Sequence, residues 1–289
     1  MSLLIRPIEQ TDSESCGKVG YEAHKTISST HGYPSEQPSE EFGIGLIKRL
    51  FGNPNSCGVL AERQGKILGS IFLHKFPPSP VAVIGPLTVH PSAEGGVGRM
   101  LMDAALTQAR KQNHDQIRLV QSPSHIRSFV LYTKSGFALR EPLFLMQGRP
   151  LKRGNNTSSA NVRLVCDDND ISVCNELCKS IYGFSREMEL HQAKDQGVAT
   201  MIERDGVITG YAAGIGISGH TIAKSNEELK ALIANASTIL GPGFFAPARN
   251  HELIKWLLEN GFHIGWPANL MTIGPYQEPL TPFLPSLAY

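Results

Sequence analysis

Gly136-Phe137, Pro142 and Leu145-Met146 return as Gly261-Phe262, Pro267 and Leu270-Met271, all displaced by one offset of 125 positions. Five matches at a single offset mark an internal duplication, and a period of this size is that of a whole domain rather than a solenoid turn. A chain of 289 residues therefore holds two copies of one folding unit. The copies are unequal. The stretch from Arg6 to Gly136 exceeds that from Arg163 to Gly261 by 32 positions, a deletion falling in the early helices and around the third and fourth strands. Shared architecture does not then require shared chemistry.

Within the first copy, hydrophobic periodicity predicts a strand over 3–8, a helix over 13–29 entered through Asp12 as N-cap, and a helix over 40–51. Alternating runs over 58–63, 66–74 and 81–90 read as strands, the first two joined at Gln64-Gly65. A helix over 95–113, a strand over 117–121, a helix over 124–135 stopped by Gly136 and a strand over 138–148 complete the unit. Pro150 to Ala160 has almost nothing to bury and reads as the linker, so the expected domains are 1–150 and 161–289 with a linker over 151–160. The second copy shows a strand over 162–166, a long helical region over 171–196, strands near 198–203 and 207–217, and a helix over 226–236. The tail 275–289, rich in proline, is expected to run along the surface.

Composition limits the partners. With 41% hydrophobic and 18% charged residues each copy can bury a core without metals or disulfides. Lys+Arg total 27 against 26 Asp+Glu, and no basic stretch is interleaved with aromatics, which argues against nucleic acid. The five cysteines form no Cys-x-x-Cys pair, so no metal is expected, and Cys174 and Cys178 read as buried thiols. No long apolar run marks a membrane span or leader, and a reduced, cytoplasmic setting is expected.

The segment that carries chemistry is Ile84 to Arg99, IGPLTVHPSAEGGVGR, in which a strand passes through Pro91 into a glycine-rich turn that opens a helix. Without side chains at Gly95, Gly96 and Gly98 the backbone amides can approach an anion closely. The helix N-terminus adds unpaired N–H groups and about half a positive charge, and Arg99 adds a cation. Glycines ahead of a helix also serve simple turns, so the surrounding pattern has to decide. No G-x-x-x-x-G-K-[ST] occurs, and Leu101 stands where a dinucleotide fingerprint needs its third glycine. A formal G-x-G-x-x-G at Gly214, Gly216 and Gly219 has no helix start after it and reads as a loop.

Val-His-Pro, then Gly-x-Gly and an apolar helix, then a strand, then Leu-Tyr-Thr-Lys-Ser-Gly-Phe resembles the GNAT (Gcn5-related N-acetyltransferase) family. The resemblance implies an α/β (α+β) fold of two GNAT-like domains, each a mixed, mostly antiparallel sheet flanked by helices. It implies acetyl-CoA as acyl donor, with Leu87, Thr88 and Val89 pairing with the pantetheine arm. Glu94, Gly95, Gly96, Val97, Gly98 and Arg99 would hold the pyrophosphate, and His125 would stand near the pantetheine where the family often has an asparagine. Tyr132 would protonate the leaving thiolate, and the Val89 amide would polarise the thioester carbonyl. Ala93 departs from the Arg or Gln with which the family usually begins this loop. The base is not fixed by the motif; His74, Glu62 and His90 are candidates.

In the second copy Leu257 takes the place of Tyr132 and no Gly-x-Gly turn lies between Gly219 and Ala236. This copy resembles the degenerate domain of tandem GNAT proteins. Its charged residues Arg186, Glu187, Glu189 and His191 face either an acceptor pocket or solvent, with solvent favoured. The expected activity is N-acetylation of a primary amine on a small molecule or a peptide, by a monomer or homodimer. The alternatives are an acyl-CoA-binding regulator without transferase activity and a scaffold of two empty folds.

Overall fold

The computed structural model describes residues 3–93, 96–151 and 161–287. The chain separates into two compact units, one formed by residues 1–75 and 81–138, the other by residues 76–80 and 139–289.

In the first unit the order is β1 (Leu4–Pro7), α1 (Ser13–His31), α2 (Glu40–Gly52), β2 (Ser56–Arg63), β3 (Lys66–Lys75), β4 (Val81–Val89), α3 (Val97–Lys111), β5 (Gln116–Gln121) and α4 (Ile126–Lys134). The strands lie in the order β1-β2-β3-β4-β5. All neighbours are antiparallel except β4 and β5. Gln64 and Gly65 both take positive φ between β2 and β3, the geometry of a tight two-residue hairpin. Helix α3 buries Val97, Leu101, Met102, Ala105, Leu106 and Ala109 on one face; each large apolar side chain so buried contributes about 1.5–3 kcal/mol. Helices α1 and α2 approach so closely that a Cβ on Gly17 would strike the Ile44 backbone and one on Gly43 the Gly17 carbonyl. Asp12 does not cap α1 through its side chain as expected. It takes the Arg6 guanidinium and the Glu9 amide instead, and a single 3-10 turn over Gln10–Asp12 leads into the helix.

The second unit contains β6 (Ala138–Gln147) from Leu139 onward, β7 (Asn161–Leu164), α5 (Asp168–Tyr182), α6 (Glu187–Asp195), β8 (Ala199–Arg204), β9 (Val207–Ala213), β10 (Thr221–Ala223), α7 (Asn226–Asn235), β11 (Phe244–Pro247), α8 (His251–Glu259), β12 (His263–Ile273) and β13 (Phe283–Leu284). One sheet runs β13-β10-β9-β8-β7, and β12-β6-β11 are neighbours in the other. Strand β6, which closes the first copy in sequence, pairs antiparallel with β11 from Phe244↔Met146 to Pro247↔Leu143, so the first compact unit ends at Ala138 rather than at 150. Of the expected linker, residues 152–160 lie outside the described residues. The core here gathers Met146, Ile202, Leu229, Leu232, Phe244, Leu253, Leu257 and Phe262.

Three expectations for the second copy are corrected. The helical region 171–196 is two helices, because Gly183 at φ 80 ends α5 and α6 starts only at Glu187. Strand β9 stops at Ala213, where Gly214 turns the chain at φ 81. The tail is not a surface strap: Phe283 and Leu284 form β13 beside β10 and, with Ser286, are buried.

The duplication is visible in repeated local devices. Arg6 grips Asp12 and Arg163 grips Asp170, each through two nitrogens on two oxygens, and each aspartate also receives a backbone amide, from Glu9 and Cys166. The Gln64-Gly65 turn recurs at Asp205-Gly206, again with both φ positive. A bulge falls at Ala61/Glu62 in one hairpin and at Ile202/Glu203 in the other.

Candidate active site

Strands β4 and β5 pair only at their bases. The parallel register covers Val81↔Gln116, Ala82↔Ile117 and Val83↔Arg118, and then stops, although β4 continues to Val89 and β5 to Gln121. Beyond Val83 the upper half of β4 has lost that neighbour. The register with β3 shifts between Ile71 and Leu73, opposite Leu87 and Ile84, so Gly85 and Pro86 form the bulge at which β4 changes course. Proline has no amide to donate, which suits a place where the ladder is interrupted.

The direction of the backbone groups above the bulge follows from one hydrogen bond. The His90 amide donates to the Leu68 carbonyl on the β3 side (2.8 Å). Amides alternate between the two edges of a strand, so Thr88 also faces β3 and the amides of Leu87 and Val89 face the edge that β5 has left. The Thr88 side chain is buried with its hydroxyl 3.3 Å from that of Ser70.

Helix α3 begins beside this edge in sequence. Gly96, at φ 78, is its N-cap and makes no side-chain cap bond. The first internal bonds run from Arg99 and Met100 to the Gly96 carbonyl, so the amides of Val97 and Gly98 precede them. Val97 is buried and anchors the turn, whereas Arg99 is exposed, 3.8 Å from Asp103. Gly98 stands 3.5 Å, measured from the Cβ it lacks, from Val89 Cγ2 and Leu131 Cδ2, which brings α3, β4 and α4 to one spot. Glu94 and Gly95 lie outside the described residues.

Tyr132 sits near the end of α4, half-buried, its ring 6.0 Å from that of Phe137. The Phe137 amide returns to the Tyr132 carbonyl (3.0 Å), closing the helix behind it. Burial of the phenol, reinforced by the negative charge of Glu36, pushes its pKa well above the ordinary tyrosine value, so the hydroxyl keeps its proton at neutral pH. His125 is the N-cap residue of α4, half-buried. Its pKa is lowered by burial and then by the nearby His31, Arg127 and His24.

The three candidate bases are committed elsewhere. His74 donates through Nε2 to the Gly85 carbonyl (2.5 Å) and accepts through Nδ1 from Ser56 (2.7 Å), a tautomer dictated by the carbonyl, which can only accept. Burial lowers its pKa, with the Gly85 bond acting in the opposite sense. Glu62 is held by Arg6, and His90 Nδ1 by the amide and hydroxyl of Ser92. The imidazole of His24 and the carboxylate of Glu36 lie 3.9 Å apart. They belong to no motif and come from α1 and the loop after it.

The second unit fills each of these features. Ala223 and Gly210 correspond to Val89 and Gly69 in register, and the Lys224 amide bonds the Thr209 carbonyl as His90 bonds Leu68. The outward Ala223 amide donates to the carbonyl of Pro282, and β13 pairs along the edge that stays open on β4. Only Lys224 and Ser225 separate β10 from α7; Ser225 caps the Glu228 amide, and Glu227 and Glu228 occupy the first turn. An anion finds no seat there. Leu257 takes the place of Tyr132, with the Phe262 amide bonding its carbonyl. Arg186 and Glu189 are not on a solvated face: they pair inside the unit, where Arg186 also donates to Ser286 (2.9 Å), while Glu187 and His191 remain partly exposed.

Among the described residues no helix is long and apolar enough to cross a membrane. Residues 23–137 match the acetyltransferase (GNAT) family. No curated protein sequence matches the chain. Solved structures of similar fold include an acetyltransferase-like protein of Pyrococcus horikoshii, 18% identical, covering 99% of this chain and 95% of that one, TM-score 0.68. A GCN5-related N-acetyltransferase of Sphaerobacter thermophilus is 13% identical over 96% of each chain, TM-score 0.63. A tandem GNAT protein from the clavulanic acid biosynthesis pathway is 15% identical over 96% of this chain and 99% of its own, TM-score 0.55. The open β4 edge, the α3 turn and the Tyr132 helix all lie inside the stretch that matches the GNAT acetyltransferase family, and the chain as a whole has the fold of tandem GNAT proteins.

Proposed function

We propose that the first unit is an N-acetyltransferase that moves the acetyl group of acetyl-CoA to a primary amine. The observation that carries this reading is the edge of β4 above Val83, abandoned by β5 and lined by the outward amides of Leu87 and Val89. An extended ligand arm adds to such an edge as a strand does. The second unit supports the fit from within the molecule, because its equivalent amide, Ala223, already holds a carbonyl. The amides of Val97 and Gly98 at the head of α3, with Glu94, Gly95, Gly96 and Arg99, would hold the pyrophosphate, and His125 would border the arm.

Acetyl-CoA supplies an activated thioester. The Val89 amide would donate to the carbonyl oxygen as charge develops on it, and Tyr132, kept protonated by its burial, would give its proton to the departing sulfur. Replacing Tyr132 with Phe should lower kcat by about a hundredfold, the lower end for loss of a general acid, and leave the dissociation constant of acetyl-CoA nearly unchanged. Calorimetry and a thiol-release assay measure the two. Coenzyme binding with no thiol release by the unaltered chain across a broad amine panel would favour a binding regulator instead.

A further inference from the structure

The upper half of β4 owes its orientation to one extra residue. Between the pairs Leu73↔Ile84 and Ile71↔Leu87, β3 has Phe72 alone where β4 has both Gly85 and Pro86. A strand beyond such a bulge is displaced by one position, and in a structure of period two that displacement exchanges its edges and its faces. With the extra residue present, Thr88 is buried against Ser70 and the amides of Leu87 and Val89 turn to the open edge. Without it, Leu87 would pair with Ser70 and both relations would invert. Gly85 holds the bulge at φ 151, a backbone that side chains seldom tolerate.

The bulge is gripped from the neighbouring strands. His74 lies opposite Ser56 in the ladder with β2 and opposite Val83 in the ladder with β4. Side chains of directly opposed residues share a face, so Ser56 donates its hydroxyl to Nδ1 (2.7 Å), while Nε2 donates to the Gly85 carbonyl (2.5 Å). The imidazole lies parallel to the ring of Phe72, centroids 6.3 Å apart, and Phe72 is packed in a core with Ile8, Cys16, Ile47 and Leu60. One side chain thus ties three strands together at the residue where β4 changes course. In the second unit Gly210 corresponds to Gly69, so the apolar Ile215 stands where His74 does and can make no such tie; there β10 meets β9 without a shift of register. Resting on the transferase reading above, we propose that His74 is a positioning residue: the Ser56–His74–Gly85 clamp holds the bulged register and thereby aims the Val89 amide at the thioester carbonyl. It acts through the Gly85 carbonyl rather than on the ligand. The amides proposed for the diphosphate belong to a separate element, α3, so loss of the clamp should reduce turnover more than affinity.

Hydrogen exchange of the full chain, resolved by residue with NMR, reads the register without any ligand. In the parent chain the amides of Thr88 and His90, turned to β3, should exchange at least about tenfold more slowly than those of Leu87 and Val89. His74→Leu should abolish that alternation while Leu60, flanked by β1 and β3, keeps its protection, an outcome that a general loss of stability would not produce. A glutamine amide reaches about as far as Nε2 and an asparagine amide only as far as Nδ1, so His74→Gln should restore the alternation and His74→Asn should not. With acetyl-CoA and a panel of primary amines, His74→Leu should lower kcat about tenfold and change the acetyl-CoA dissociation constant by less than about threefold, and His74→Gln should recover most of the turnover. Should His74→Leu fail to fold, the contrast between the Gln and Asn variants decides. An alternation or a kcat that survives in His74→Leu, or Gln and Asn variants that behave alike, would overturn the proposal and leave the acetyltransferase reading standing. Failure of the parent chain to bind acetyl-CoA would overturn both.

Discussion

Asp170 accepts two guanidinium bonds from Arg163 and one amide from Cys166 while almost wholly buried, and these interactions lower its pKa to about 2. A carboxylate depressed in the folded state stabilises at every pH above its unfolded value, and that contribution is lost as pH falls towards the folded one. Asp170→Asn should therefore cost about 2 kcal/mol at neutral pH, measured by urea unfolding, because it leaves a charged partner without its counterion. His220 has the opposite chemistry. It is buried, bonded through Nε2 to the Tyr211 hydroxyl (2.7 Å), and burial followed by Arg186 drives its pKa well below the ordinary histidine value. The unfolded chain takes up a proton near pH 6.5 that the folded unit refuses, so the neutral imidazole stabilises fully above that pH and progressively less below it. Urea midpoints between pH 7 and pH 5 should fall in the parent chain and fall less steeply in His220→Asn. At this scale the sequence is informative where a residue is tied to its neighbours in the chain. Tyr132 stands out as a candidate because it lies in the run Leu-Tyr-Thr-Lys-Ser-Gly-Phe, which the structure closes with the Phe137 amide on the Tyr132 carbonyl. The effect of the Glu36 charge on the Tyr132 phenol is not legible, since nothing local in the sequence connects the two.

Among the elements, a substitution at Gly98 tests stability and the proposed binding role separately. Its backbone is helical and a Cβ there would make ordinary contacts with Leu131 and Val89. Gly98→Ala should keep or raise the melting temperature, since alanine is preferred to glycine within a helix by up to about 1 kcal/mol, yet weaken acetyl-CoA at least tenfold by obstructing the amides at the head of α3. Calorimetry beside a thermal melt distinguishes the two; unaltered affinity would place the pyrophosphate elsewhere. Elements with long periodic faces, such as α3 and the β2–β3 hairpin, are legible in sequence. Strand β13 is not, because two residues flanked by Pro282 and Pro285 display no alternation to read. The break between α5 and α6 is no more legible, because it lies in the backbone of one residue, Gly183, whose positive φ ends the first helix.

For the whole molecule, the duplication fixed the number of folding units and their shared architecture, but not the packing of β6. A strand's sequence records which faces it buries; it does not record which neighbour supplies its hydrogen bonds. The two units have resolved one edge in different ways. The first leaves the upper part of β4 without β5, whereas the second seats β13 on β10 and gives the Ala223 amide to Pro282. A segment delivered by its own chain competes at an effective concentration on the order of millimolar or more. Coenzyme at micromolar levels would find that place already occupied by a tethered rival, and isothermal titration should therefore count one equivalent per polypeptide rather than two.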